Sequence, residues 1–151
     1  MGEEIGKLRK FALVTGGSRG IGRAICIQLA KDTDYHILIN YQSNKQAAEE
    51  TLREVISIGG QGELIPFDVV DADSVISSLD QWQENNKEAI IEVIVNNAGI
   101  NRDGLFMWMK PEDWNAVINT SLNGFFNVTN HLIQKLLVNK YGRIINMVSL
   151  S

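Results

Sequence analysis

Phe11-Ala12-Leu13-Val14-Thr15-Gly16-Gly17-Ser18-Arg19-Gly20-Ile21-Gly22 is an apolar run that halts at a cluster of glycines, followed at once by apolar residues at helical spacing, Ile21, Ile25 and Leu29. The pattern predicts strand, tight turn and helix. Gly16, Gly20 and Gly22 keep side chains away from the point where the strand becomes the helix. Backbone amides and the positive helix N-terminus can then approach a pyrophosphate, which makes a dinucleotide site the first expectation. Glycines also serve plain turns, so the rest of the chain has to decide.

Downstream the alternation repeats. Tyr35–Tyr41 is an apolar run expected as a strand buried on both faces, after the turn-forming Asp32-Thr33-Asp34. Residues 44–58 have a helical pattern with Ala47, Ala48, Leu52, Val55 and Ile56 on one side and Gly59-Gly60 as the stop. Glu63–Phe67 is a third strand, its Pro66 pointing to an edge position. Asp71 should cap a helix that carries Val75, Ile76, Leu79 and Trp82. Ile90–Val95 is a fourth strand running into Asn96-Asn97-Ala98-Gly99. Pro111, with Glu112 and Asp113 behind it, opens a long helix expected to reach about Val138, with an inward stripe of Trp114, Val117, Ile118, Ser121, Leu122, Phe125, Val128 and Leu132. Arg143–Val148 is the fifth strand.

Strands alternating with helices, and crossovers long enough for parallel pairing, predict an α/β fold: a Rossmann-like, doubly wound parallel sheet in three layers. Residues 1–10 read as a polar tail and 11–151 as the domain. Ligands of such sheets bind beyond the carboxyl ends of the strands, at the switch point. The candidates are therefore Thr15 to Gly22, Asn40 to Ser43, Asp68 and Val69, Asn96 to Gly99, and Ser149. All five groups are polar or glycine-rich directly after an apolar run.

Composition narrows the class. At 151 residues, 44% hydrophobic and 21% charged, the chain can bury roughly 70% of its unfolded surface. A net charge of −4 argues against a nucleic-acid binder, which needs a basic face. No run is long enough to span a bilayer, and Met1–Lys10 lacks the apolar stretch of a secretory leader. Cys26, the one cysteine, has no internal partner, so a reducing cytoplasm is expected and the thiol reads as packed rather than nucleophilic. His36 and His131 are not at carboxyl strand ends, and no Cys/His cluster suits a metal.

Thr15–Gly22 resembles the TGxxxGxG turn of the short-chain dehydrogenases/reductases, and Asn96–Gly99 resembles that family's NNAG signature, in the right order and on the right strand ends. Within the family, Asn96–Lys110, Trp114 and Gly142–Ile145 are most similar to 3-oxoacyl-acyl-carrier-protein reductases, with acetoacetyl-CoA reductases close behind. The resemblance covers the chain from Phe11 onward but only the first part of a typical member, so the sheet is expected to be incomplete on its C-terminal side.

The cofactor can be argued from the end of the second strand, where NAD-binding relatives place an acid for the ribose 2′-hydroxyl. Here that end reads Asn40-Tyr41-Gln42-Ser43, and Arg19 in the glycine turn can donate to a 2′-phosphate. A charge-assisted hydrogen bond contributes about 1.5 to 3 kcal/mol, roughly one to two powers of ten in preference. NADP(H) is the expected cofactor. The resemblance implies that Asp68 and Val69 flank the adenine and that Asn96, Ala98 and Gly99 line the ribose and pyrophosphate side; Asn96 could equally bridge neighbouring strand ends.

The resemblance also implies hydride transfer to the keto carbon of a 3-oxoacyl thioester, with acyl-carrier protein or coenzyme A as carrier and a homo-oligomer as the assembly. Ser149 matches the family's carbonyl-binding serine, Ser151 being the alternative alignment. The family's proton donor is a tyrosine followed four residues later by a lysine. Tyr35, Tyr41 and Tyr141 do not fit that spacing, so the pair is expected beyond Ser151 and the 151-residue chain is expected to be inactive alone. Ser121 stands where members usually have asparagine, while Asn123 is about 200 degrees further round a helix and no automatic substitute. A carrier-protein surface would draw on Arg102, Lys140 and Arg143. The competing reading from another class is a nucleotide-binding module without catalysis.

Overall fold

A computed structural model describes residues 8–149. β1 (Arg9–Val14) leads to α1 (Gly20–Asp32), then β2 (His36–Tyr41), α2 (Lys45–Ser57), β3 (Gly62–Pro66), α3 (Ala72–Asn85), β4 (Ala89–Asn96), α4 (Pro111–Ile118), α5 (Gly124–Asn139) and β5 (Arg143–Asn146). Every pairing is parallel, in the order β3-β2-β1-β4-β5. This is the expected doubly wound sheet, with β1 starting two residues inside the stretch read as tail. The chain winds outward through β2 and β3, then returns to the other side of β1 as β4. That reversal opens a crevice at the carboxyl ends of β1 and β4. Pro66 lies on the edge strand β3, where its missing N–H costs no ladder bond. β5 is the other edge of the described sheet, with Ile144 and Ile145 exposed.

The period of two along β1 and β2 explains why these runs are apolar throughout. Phe11, Leu13 and Leu38 face α3 (Val75, Leu79, Trp82) and α5 (Val128, Leu132, Leu136), while Ala12, Val14, Ile37 and Ile39 face Cys26 of α1 and Val55 of α2. Burial pushes the Cys26 thiol up to about 12, as a packed rather than reactive side chain requires. Asn44 and Asp71 cap α2 and α3, accepting from the N–H groups of Ala47 and Ser74, both at 3.0 Å. Ile56 and Ile76 turn outward, off the helix faces assigned to them from sequence. Among the described residues no helix is long and apolar enough to cross a membrane.

The long helix differs from expectation. It is broken by a π turn, Asn119–Asn123, between α4 and α5. The extra residue in that turn breaks the 3.6-residue period, so one straight stripe cannot hold on both sides of it. Val128, Leu132 and Leu136 are buried, whereas Trp114 (51% exposed) and Leu122 (58%) face out, together with Ser121. Thr120 helps loosen the ladder by donating its hydroxyl to the Ala116 carbonyl at 2.9 Å, and Asn123 bonds Asn119 at 2.8 Å across the turn.

Glu92 is a carboxylate in the middle of a buried strand. The β1–β4 register slips there, Phe11 pairing with Ile91 and Ala12 with Val93, so Glu92 is the extra residue of a bulge. It is 3% exposed, and its carboxylate accepts from Tyr35 Oη at 3.0 Å and Asn139 Nδ2 at 3.2 Å and pairs with Lys10 Nζ at 3.1 Å. Burial alone would raise its pKa, but the donors, Lys10 foremost, hold it below the usual 4.5. A depressed carboxylate stabilises the fold above its unfolded pKa and loses that contribution as pH falls through its folded value. Glu92→Gln is expected to cost about 1–3 kcal/mol at neutral pH. Denaturant midpoints of variant and wild type should converge below pH 4.5. A gap that stays constant across that range would remove the charge from the explanation.

Candidate functional site

Four strand ends are tied together around the glycine turn. Thr15, buried, donates its hydroxyl to the Val95 carbonyl at 3.3 Å and accepts from the N–H groups of Asn97 and Ala98, both at 3.0 Å. Asn97 Nδ2 donates back to the carbonyls of Thr15 at 3.0 Å and Gly16 at 3.3 Å. On the other side, Asn40 Oδ1 accepts from Gly16 N at 3.1 Å, the Asn40 carbonyl accepts from Gly17 N at 2.9 Å, and Asn40 Nδ2 donates to Phe67 O at 3.0 Å. At 2% exposure the Asn40 side chain is committed to the protein, although its backbone borders the cleft.

Within this frame Gly16 and Gly20 adopt φ of +63° and +54°, which favour glycine. Gly22 is required by space: a Cβ there would strike the Gly16 carbonyl oxygen and lie 2.6 Å from Asn97 Nδ2. Arg19 caps α1 without a side-chain hydrogen bond to its first turn, leaving amide donors directed out of the helix start.

The cleft over the carboxyl strand ends has two lobes. One, about 560 Å³, is bordered by Gly16, Ser18, Arg19, Gly22, Asn40 and Asp68. The other, about 580 Å³, is bordered by Thr15, Asn96, Ser121 and Ser149 with the apolar Phe125 and Val148. Ile21, Val69, Ala98 and Gly99 border both, so the lobes form one trough. Every residue proposed for the site from sequence borders it except Gly17 and Gly20, which lie in the turn itself. Asp68 accepts from Gln42 Nε2 at 2.7 Å and from Val70 N at 3.0 Å. Val69 is clamped by α5: its carbonyl accepts from Asn127 Nδ2 at 2.9 Å, and a Cβ on Gly124 would lie 2.7 Å from Val69 Cγ2. Asn96 Nδ2 donates to Asn146 Oδ1 at 3.0 Å and Thr129 Oγ1 at 3.1 Å, bridging β4 to β5 and α5 while bordering the trough.

Asn97, to which the sequence assigns no separate role, is the side chain that pins β4 to the turn. Its signal was its place beside Asn96 at a strand end. Of the three basic residues, only Arg102 borders the trough, ion-paired to Asp113 at 3.3 Å. Lys140 and Arg143 lie at the amino end of β5, with Arg143 over the Tyr141 ring at 4.7 Å, so they do not form one patch beside the cleft. Parallel pairing puts the start of β5 about 10 Å from its carboxyl end. Tyr35 joins Glu92 at the amino end of the sheet, and among the described residues no tyrosine borders the lobe that holds Ser149. Ser151 lies outside the described residues.

The chain matches the short chain dehydrogenase family over residues 10–151. It is 41% identical over 143 residues to a 3-oxoacyl-acyl-carrier-protein reductase of Staphylococcus aureus, covering 95% of this chain and 57% of the relative. An acetoacetyl-CoA reductase of Paracoccus denitrificans is 40% identical over 144 residues, with 95% and 56% covered. The chain thus spans a little over half the length of these curated relatives. A gluconate 5-dehydrogenase from Burkholderia cenocepacia, solved with NADP and tartrate, superposes with a TM-score of 0.83 at 32% identity, covering 93% of this chain and 53% of that one. A metagenomic short-chain oxidoreductase solved with NADP gives 0.85 at 27% identity, covering 96% and 64%.

Proposed function

The chain belongs to the short chain dehydrogenase family, and on that premise we propose that it is the cofactor-binding part of an NADPH-dependent reductase that converts a 3-oxoacyl thioester to the 3-hydroxyacyl thioester. The observation that carries the reading is the single trough: a basic, amide-rich lobe at Arg19 continuous through Ala98 and Gly99 with a lobe of hydroxyls and apolar walls at Ser149. The donor set fits NADPH, because Gly22 leaves room for close backbone approach, and Asn40-Tyr41-Gln42-Ser43 puts no carboxylate beside Arg19 to repel a 2′-phosphate.

Thr15 to Gly22 would hold the pyrophosphate and Arg19 the 2′-phosphate; Asp68 and Val69 would flank the adenine, and Asn96, Ala98 and Gly99 the ribose side. When bound, the nicotinamide supplies the hydride. The Ser149 hydroxyl donates to the substrate carbonyl oxygen, whose negative charge grows as the carbon is reduced, and the apolar Phe125 and Val148 border the same lobe. We assign the proton to the tyrosine–lysine pair that the family resemblance places downstream. Ser121, at the family's asparagine position, borders the same lobe and can relay a proton through its hydroxyl. The dinucleotide-binding domain then comprises residues 11–151, extended by the Arg9 and Lys10 of β1. A homo-oligomer is supported by the exposed Phe106, Met107, Trp108 and Phe126, and a cytoplasmic setting by the single cysteine.

The second reading, acetoacetyl-CoA reduction, rests on the Paracoccus relative. One experiment separates them: NADPH and NADH oxidation by the intact protein with acetoacetyl groups on acyl-carrier protein and on coenzyme A. The expected result is turnover of the carrier-protein thioester with at least about tenfold preference for NADPH. Faster turnover of the CoA thioester selects the second reading. Binding of NADPH without turnover of either thioester leaves a nucleotide-binding module.

A further inference from the structure

Arg23 lies one helical turn into α1 and borders neither lobe of the trough, yet its guanidinium is tied to both α2 and the glycine turn. Its Nε donates to Thr51 Oγ1 at 3.0 Å, and its Nη2 to the carbonyls of Ser18 at 3.0 Å and Ala47 at 3.2 Å. Glu50 and Glu54 of α2 face the same guanidinium at 3.2 and 3.3 Å. Thr51, at 0% exposure, offers its own hydroxyl proton to the Ser18 carbonyl at 3.0 Å.

The Ser18 carbonyl therefore has two donors in reach, both fixed from α2. The Ser18–Arg19 peptide is planar and trans, so holding its carbonyl toward Arg23 and Thr51 sends the Arg19 N–H the opposite way. Arg19 is itself extended, φ −159° and ψ 172°, so its side chain leaves from a frame that this one peptide sets. Hydrogen bonds to a phosphate oxygen weaken steeply with misalignment, and a small rotation of that peptide would swing the tip of a long side chain well beyond their range. The two glutamates draw the Arg23 charge toward α2, which leaves Arg19 as the cation of the glycine turn that borders the lobe.

We propose that Arg23 is a positioning residue for the choice between NADPH and NADH, acting through the Ser18 carbonyl on Arg19; this rests on the NADPH reading above. A planar fork is needed, because its acceptors lie both along α2 and on the glycine turn, and a lysine ammonium cannot span them.

The test is titration of the intact protein with NADPH and NADH, for the wild type, Arg19→Met, Arg23→Met and the double variant. Arg19→Met is expected to lower the NADPH-to-NADH affinity ratio about tenfold or more. Arg23→Met should lower the same ratio about three- to tenfold, the double variant should fall no further than Arg19→Met alone, and Arg23→Lys should not restore the ratio. A purely structural tie between α1 and α2 would weaken both cofactors equally or lower only the melting temperature, and either result overturns the proposal. So does a double variant whose losses add. If Arg23→Met fails to fold, Thr51→Val carries the test, with a smaller fall in the ratio expected and an unchanged ratio overturning it. A wild type without NADPH preference fails earlier, at the cofactor reading, and takes this proposal with it. A preferring wild type whose ratio is untouched by Arg23→Met defeats this proposal alone.

Discussion

Gly22→Ala is expected to weaken NADPH binding by more than about 100-fold while the sheet remains folded. The methyl group has nowhere to go. It would strike the Gly16 carbonyl oxygen and press on Asn97 Nδ2 at 2.6 Å. Neither neighbour is the loose end of a flexible side chain: one is backbone, and the other is held by hydrogen bonds to Thr15 and Gly16. Relief requires α1 to move off the turn, which carries its first amides away from the pyrophosphate and costs about 1–3 kcal/mol in overpacking. The stability loss is modest because the core cluster of Phe11, Leu13 and Leu38 with α3 and α5 contains no residue of α1. Gly59 supplies the control: at φ +87° with nothing near its missing Cβ, Gly59→Ala should cost about 1 kcal/mol through backbone strain and leave binding untouched. Fluorescence titration beside thermal unfolding reads both variants. Unchanged affinity in Gly22→Ala would mean that the turn is not the cofactor's wall.

What could be read from sequence was whatever depends on short, regular spacing. The apolar runs of β1 and β2 announced strands, the second covered on both faces, Asn44 and Asp71 announced helix starts, Pro66 announced an edge, and five polar strand ends located the trough. The misreadings occurred where one residue breaks a period. The π turn at Asn119–Asn123 offsets α4 from α5, so Trp114, Ser121 and Leu122 face outward although Val128 and Leu132 of the same stripe are buried. A bulge at Glu92 also breaks the period of two in β4, so that Ile91 and Ile94, three residues apart, share one face while Val93 and Val95 take the other. Long-range polar contacts were invisible for another reason. Arg23 meets Thr51 and Glu54 across 28 and 31 residues of chain, and Asn40 meets Gly16 across 24, separations at which no periodicity operates. Asn40 shows the cost of that blindness: its position at a strand end suggested a ligand contact, and its side chain proves to be spent on holding the glycine turn.

Ser149→Ala should lower kcat for the 3-oxoacyl thioester by about 100- to 1,000-fold, with little change in the KM for that thioester and none in the affinity for NADPH. The separation follows from the trough's two lobes. Ser149 borders the one with Ser121 and Phe125, while Arg19, Gly22 and Asp68 border the other. A hydroxyl that meets a neutral carbonyl contributes modestly to binding, whereas the same hydroxyl meeting an oxygen with growing negative charge contributes more, so its loss falls on kcat. Alanine removes the donor without adding bulk to the lobe, so substrate still enters. Rates with saturating NADPH, taken alongside NADPH titrations of the same variant, check both halves of the expectation. If kcat is retained, the carbonyl-binding role passes to Ser151, and Ser151→Ala should then show the loss. If NADPH affinity falls along with kcat, Ser149 shapes the whole trough rather than the carbonyl end of it.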